Sequence, residues 1–376
     1  MQAQAYQPTY DPARTYDDNF DNGPFGVFFE PKPYQNTESP SHTFLGYPVY
    51  LPFGIAAGPL LNAKYVASAL AMGFDVVCYK TQRSRPFTSN SFPNVVFANV
   101  EGDLTLEKSA GQVVVANEPG SDPSKLTITN SFGMPSRGPE FWVPDLAKAL
   151  TFERPGQFVY ASVVGTARPG MSEDEYFNDF AATAKLAAAT GVKAIEVNLS
   201  CPNVASEGIL CYTPAAVDDI CRRTKEAIGD IPLMIKIGYY SPQQDKLLRT
   251  IMISAAPYVA AVSAINTIPA EVVNEKGTQA LPGKGRLKSG LCGAGIKWAG
   301  LEMTSRLNRI RSQLGLGYEI VGVGGVMMPA DYFEYREAGA DVVQSCTGSM
   351  WNPHLAIDIK MEKQKPHRAK VSKLTD

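Results

Sequence analysis

The chain has 376 residues, 44% hydrophobic and 19% charged, with 32 glycines and 28 prolines, which is enough apolar material for a sizeable core. That composition excludes a disordered or collagen-like chain. Lys and Arg total 35 against 37 Asp and Glu, a formal charge of -2, so the positive footprint that nucleic-acid binding requires is missing.

The first residues, Met1-Gln-Ala-Gln-Ala-Tyr-Gln-Pro8, carry neither the basic nor the apolar region of a signal peptide, and the expectation is a cytoplasmic chain. Residues 1–44 are rich in Pro, Asp, Asn, Gln and Tyr without a helical stripe. They read as an extended or partly disordered arm. From there a single unit over residues 45–362 is expected. Short apolar runs at 49–57, 75–80, 158–165, 194–200, 233–238, 259–266, 319–326 and 341–348 alternate with amphipathic segments. Ser172 with Glu175 forms a capping box ahead of a segment closed by Gly191, and another segment has Pro214 in its first turn and Gly229 at its end.

Eight strand signals alternating with helices predict an α/β protein, a (β/α)8 TIM barrel. A doubly wound sheet gives a similar string, but nothing like G-x-G-x-x-G follows the first run. Residues 81–140 interrupt the repeat with turn clusters and alternating stretches, which predicts a small β-hairpin insertion over the C-terminal mouth. Residues 267–296 read as a functional loop after the sixth strand. The run 251–265 is broken by Ser254, Pro257 and Ser263 and is too short to span a bilayer. The basic stretch 360–373 reads as a solvated helix end, with 363–376 a frayed tail.

Six cysteines at 78, 201, 211, 221, 292 and 346 include no C-x-x-C, and His42, His354 and His367 form no ligand pair. Iron–sulfur and zinc sites are therefore not expected, no metal is assigned, and the cysteine usage suits a reducing compartment.

In a barrel the catalytic groups stand at the C-terminal strand ends. Here those ends are polar: Lys80, Asn198 to Asn203, Lys236, Asn266-Thr267, and the glycine-rich Gly322-Val-Gly-Gly-Val326 and Gln344-Ser-Cys-Thr-Gly348. Glycines after strands seven and eight would let backbone N–H groups approach a phosphate, although a tight turn explains a lone G-x-G-G equally well. The sharpest run is Asn198-Leu-Ser-Cys-Pro-Asn203. A lone Cys reads first as an inert buried side chain, and Asn and Pro as turn residues, but six such residues together at a strand end weigh otherwise.

This run resembles the signature of class 1 members of the dihydroorotate dehydrogenase family. Pro52-Phe-Gly-Ile-Ala-Ala-Gly58 is similar to that family's first-strand flavin segment, and Asn130-Ser-Phe-Gly-Met-Pro135 to its Asn-Ser-Met-Gly-Leu-Pro motif. Lys80, Lys236, Asn266-Thr267, Ser289-Gly-Leu-Cys-Gly293, Gly324-Gly325 and Thr347-Gly348 follow in the family's order, so the resemblance covers roughly residues 45–360.

The resemblance implies an FMN oxidoreductase that converts dihydroorotate to orotate in pyrimidine biosynthesis. The FMN would contact Ala56, Ala57, Gly58, Lys80, Asn198, Lys236, Gly290, Gly293, Gly324, Gly325, Cys346 and Thr347, its phosphate resting on Gly324, Gly325 and Thr347. The substrate would meet Lys80, Asn130, Gly133, Met134, Asn198, Asn203, Asn266 and Thr267, since each Asn offers a donor and an acceptor to a cyclic imide edge. Cys201 would be the base that removes the C5 proton while hydride passes from C6 to flavin N5. Lys80 and Lys236 would supply fixed positive charge.

The resemblance further implies a cytoplasmic homodimer with a soluble electron acceptor such as fumarate, or an NAD-coupled partner subunit. The chain departs from the family pattern at Ser136 and across the 204–212 loop. Three other readings stay open: a dihydropyrimidine dehydrogenase-like flavin enzyme, a non-redox phosphate-binding lyase or isomerase using Lys80 or Lys236 as an amine nucleophile, and a catalytically silent flavin-binding or scaffold relative.

Overall fold

A computed structural model describes residues 6–200 and 210–364. All eight apolar runs become strands: β1 (Phe53–Ile55), β2 (Val76–Gln82), β3 (Phe158–Val163), β4 (Ile195–Asn198), β5 (Leu233–Ile237), β6 (Val259–Ala264), β7 (Glu319–Val323) and β8 (Val342–Ser345). They close into one barrel in chain order, β8 pairing with β1, and every neighbouring pair is parallel. The continuous apolar runs follow from this arrangement, because each strand is covered by side chains within the barrel and by helices outside. Gly54 lets β1 lie close to β2: a Cβ there would sit 1.6 Å from the Val76 carbonyl oxygen.

The outer layer comprises α1 (Ala63–Ala71), α2 (Pro139–Leu150), α3 (Glu173–Ala188), α4 (Pro214–Ile228), α5 (Asp245–Ala255), α6 (Lys297–Leu314), α7 (Pro329–Glu337) and α8 (Leu355–Gln364). The capping box opens α3, with Ser172 Oγ accepting from the Glu175 N–H at 3.2 Å and Glu175 Oε2 from the Ser172 N–H at 2.8 Å. Pro214 starts α4 and Gly229 follows its last residue. Among the described residues no helix is long and apolar enough to cross a membrane.

Four parts differ from the sequence expectation. The 81–140 insertion is more than a hairpin. Its strands Val95–Ala98, Gln112–Ala116 and Thr127–Asn130 join Ile268–Val273 and Lys288–Gly293, from the segment expected as a loop, in a closed five-stranded sheet. The two insertions complete each other's hydrogen bonding, a pairing across long sequence separation that local pattern does not reveal.

The arm is not simply extended. It carries a helix, Tyr16–Asn22, capped by Thr15 Oγ1 accepting from the Asp18 N–H at 3.1 Å. Tyr10, Tyr16, Phe20 and Phe28 are buried, so its stabilisation is tertiary and lies in aromatic burial rather than in a helical stripe.

A hairpin, His42–Phe44 with Tyr47–Val49, straddles the expected boundary at residue 44. Its Phe44 and Val49 pack with Val76, Phe158 and Met234 in the lower barrel interior. Finally, Lys360 is buried instead of solvated, paired with Asp75 at 2.7 Å.

Candidate active site

The C-terminal strand ends, the five-stranded sheet and the arm line a cavity that opens to solvent. The barrel contributes Ala57 and Gly58 after β1, Lys80 on β2, Asn198 on β4, Lys236 on β5, Asn266 and Thr267 after β6, Gly324 and Gly325 after β7, and Cys346 and Thr347 after β8. The sheet and the segment following it bring Asn130, Gly133, Met134 and Gly293. Side chains drawn from seven strands and two insertions therefore meet in one space, as the fold demands of residues at strand C-termini.

Both lysines are buried at 4% exposure, so neither reaches solvent as an ordinary strand-end lysine would. The Lys80 ammonium lies 5.6 Å from the Phe132 ring centre and 5.8 Å from that of Tyr16. Lys236 lies in register with Asn198 on one side and Ser263 on the other. Below it in the barrel is Glu196, fully buried beside the Ser162 and Ser263 hydroxyls. Burial pushes the Glu196 carboxyl above the usual carboxylate range, and the Lys236 charge opposes that shift.

The amides hold defined positions. Asn266 Nδ2 donates to the Ser200 carbonyl at 2.6 Å, Asn198 Oδ1 accepts from the Ser200 N–H at 3.1 Å, and Asn130 Nδ2 donates to Cys292 Sγ at 3.2 Å. Thr267 Oγ1 is buried and has no hydrogen-bond partner among the described residues. On the β7 side, Gly325 has φ +69, and a Cβ there would meet the Lys297 backbone at 2.6 Å. Only glycine leaves this backbone free to face a ligand. The described thiols are all held protonated by burial: Cys346 and Cys211 are pushed up to about 11, and Cys78, Cys221 and Cys292 are also raised.

Two expected residues are set back from the cavity wall. Ala56 is buried in the β1–β8 junction, its N–H donating to the Ser345 carbonyl at 3.3 Å. Gly290 backs Thr267, where a Cβ would lie 2.2 Å from Thr267 Oγ1. Cys201 and Asn203 lie outside the described residues. Ser136 is also off the wall, donating to Gln82 Oε1 at 2.9 Å. Sequence reasoning missed Tyr10, Phe132, Val95, Ile128, Cys292 and Met350 among the lining residues. Of these, Phe132 and Cys292 stood inside recognised motifs and could have been inferred. Tyr10 gave no signal beyond the arm's aromatic content.

The dihydroorotate dehydrogenase family profile matches residues 115–365. The dihydroorotate dehydrogenase of Dictyostelium discoideum is 34% identical over 359 residues, covering 93% of this chain and 96% of that protein. Dihydroorotate dehydrogenase A (fumarate) of Limosilactobacillus reuteri strain DSM 20016 is 30% identical over 215 residues, 55% of this chain and 64% of that one. In fold, the crystal structure of DHODH from Eimeria tenella in complex with ferulenol matches with a TM-score of 0.67 at 19% identity, over 88% of this chain and 85% of the other. With the family profile running from residue 115 to the end of the last helix and a relative aligned over nearly the whole length, the chain belongs to the dihydroorotate dehydrogenase family.

Proposed function

We propose that the cavity holds FMN and dihydroorotate together and that Cys201 is the base for C5. The chain is an oxidoreductase acting on a CH–CH bond, oxidising dihydroorotate in pyrimidine biosynthesis. The observation that carries the finer reading is the meeting of Lys80, Lys236, Asn130, Asn198, Asn266 and Thr267 with the Gly324-Gly325 turn in one cavity.

The residues present fit FMN. The Gly325 backbone is kept bare by its positive φ and the close Lys297 backbone, beside Thr347. Gly324, Gly325 and Thr347 would hold the phosphate, with Ala57, Gly58, Lys80 and Lys236 around the ring. When bound, FMN supplies the two-electron acceptor for the hydride leaving C6 of the substrate.

The chain's own residues do the rest. Lys236, fixed and desolvated beside Glu196, offers positive charge where negative charge develops during the reaction. Asn130, Asn198 and Asn266 present amide donors and acceptors to the pyrimidine ring. Phe132 and, from the sheet, Val95 and Ile128 give the cavity an apolar side. Cys201 takes the C5 proton at its sulfur. The other five cysteines are held protonated by burial, which supports Cys201 as the working thiol.

On this reading the working unit is a cytoplasmic homodimer and the second substrate is a soluble acceptor such as fumarate, the acceptor named for the Limosilactobacillus relative. An NAD-coupled partner subunit is the alternative, by analogy with relatives named as NAD(+) catalytic subunits. Turnover of the purified chain with fumarate alone separates the two.

Anaerobic addition of dihydroorotate to the purified FMN-loaded chain is expected to bleach the visible flavin band. Cys201→Ala should keep the band and slow bleaching by at least about 100-fold. With an ordinary thiol value near ~8.5, the wild-type rate should climb from neutral pH upward. An unchanged bleaching rate in the variant removes Cys201 from the role.

A further inference from the structure

The arm contributes one residue to the cavity wall that the mechanism above does not use. Tyr10 is 1% exposed and lines the cavity, yet its hydroxyl has no hydrogen-bond partner among the described residues. A buried hydroxyl left unpaired is destabilising, and folded proteins pair nearly all of them. On a cavity wall, the missing partner is the molecule that fills the cavity.

The side chain is held in place from two sides. Its ring packs edge-on against Phe132 with centres 5.4 Å apart. The preceding residue, Thr9, donates its N–H to the Met350 carbonyl at 2.9 Å and accepts from the Phe25 N–H at 3.0 Å. Burial and the nearby Asp11 and Asp17 carboxylates raise the phenol above its usual range, so it is an O–H donor at any physiological pH. The Lys80 ammonium stands 5.6 Å from the centre of the same Phe132 ring. A phenol and an ammonium packed against the same aromatic ring on the cavity wall suit a ligand edge rich in acceptors. Dihydroorotate and orotate carry such an edge in their carboxylate and ring carbonyls, whereas the FMN phosphate is read at the Gly324 turn.

We propose that Tyr10 is a substrate-binding residue supplied by the N-terminal arm, its phenol O–H donating to an acceptor oxygen of the bound pyrimidine acid. This rests on the reading that the pyrimidine binds in this cavity beside FMN.

The test is Tyr10→Phe in the full-length FMN-loaded protein, which deletes the hydroxyl and keeps the ring packing. Orotate is titrated by its perturbation of the flavin spectrum, and the thermal midpoint is measured without orotate. The expected result is an orotate Kd raised on the order of tenfold, with FMN retention unchanged and a midpoint equal to or above wild type, because an unpaired buried hydroxyl has gone. An orotate Kd within twofold of wild type overturns the proposal. So does weakened FMN retention with orotate affinity intact, which would assign the hydroxyl to the cofactor, or a lowered midpoint, which would make it a structural group. A wild-type protein that takes up FMN but shows no response to orotate defeats the underlying reading and the proposal with it; a responsive wild type beside an unaffected variant defeats Tyr10 alone.

Discussion

At the scale of single residues, the site is organised by charge placed where water is scarce. Lys236 is buried in the barrel above a buried Glu196, and its charge opposes the effect of burial on that carboxyl. Lys236→Met keeps the length of the stem and removes the charge. Turnover with dihydroorotate is expected to fall about 100- to 1000-fold, and Glu196, without its opposing cation, is pushed further toward its protonated form. Steady-state kinetics check this, and turnover within tenfold of wild type would show that the charge is not used. Both lysines were legible in the sequence because a charged residue inside a Val/Ile-rich run is conspicuous. Their burial was not legible, since it depends on a roof built from distant segments. Tyr10 was invisible for the same reason: Phe132, which fixes its ring, belongs to the insertion, and only the folded chain brings them together.

At the scale of elements, the barrel strands were readable and the sheet above them was not. A strand buried on both faces announces itself as an apolar run, and all eight runs became strands. The sheet's strands alternate or carry Pro and Gly, as in Ile268-Pro-Ala-Glu-Val-Val273, and the sheet closes only through two pairings that cross between the insertions. One glycine holds this sheet close to the segment before Thr127–Asn130. Gly293 has φ +96, and a Cβ there would meet the Leu126 carbonyl oxygen at 2.3 Å. Gly102 has φ +63 with nothing within 4 Å of its would-be Cβ, so a substitution there meets a left-handed backbone penalty without a collision. Gly102→Ala is expected to destabilise by about 1–2 kcal/mol, and Gly293→Ala by about 1–3 kcal/mol more, from the collision together with a φ/ψ of +96 and −158 that alanine rarely adopts. Urea unfolding of the two variants measures the difference, and equal losses would mean that the sheet yields at Gly293 without resistance.

At the scale of the whole molecule, the end of the barrel opposite the site is tied by one buried pair. Asp75, just before β2, accepts from Lys360 Nζ of α8 at 2.7 Å and from the Leu51 N–H at 3.0 Å, and Lys360 also donates to Asn36 Oδ1 of the arm at 3.0 Å. The last helix, the first strands and the arm are thus joined through two charges. Burial is the stronger influence on both. It pushes Asp75 up to about 6 against the pull of Lys360, and it lowers Lys360 against the pull of Asp75. The sign of the pH dependence follows. Asp75 has a folded value above its ordinary 3.8, so through the window from 3.8 to about 6 the folded chain holds a proton that the unfolded chain has released. Stability contributed by the protonated carboxyl is full below that window and is lost as pH rises through it. Asp75→Asn mimics the protonated acid at every pH. The stability gap between wild type and variant should therefore move against wild type by on the order of 3 kcal/mol between about pH 4 and about pH 7, then stay level. Urea unfolding across that range reads the gap directly. A gap that moves in favour of wild type would mean that the ion pair outweighs its desolvation. Because Asp75 just precedes β2 and Lys80 stands toward its other end on the cavity wall, this acid-range step in stability should be separable from the rise of turnover with pH that the proposed Cys201 base would bring.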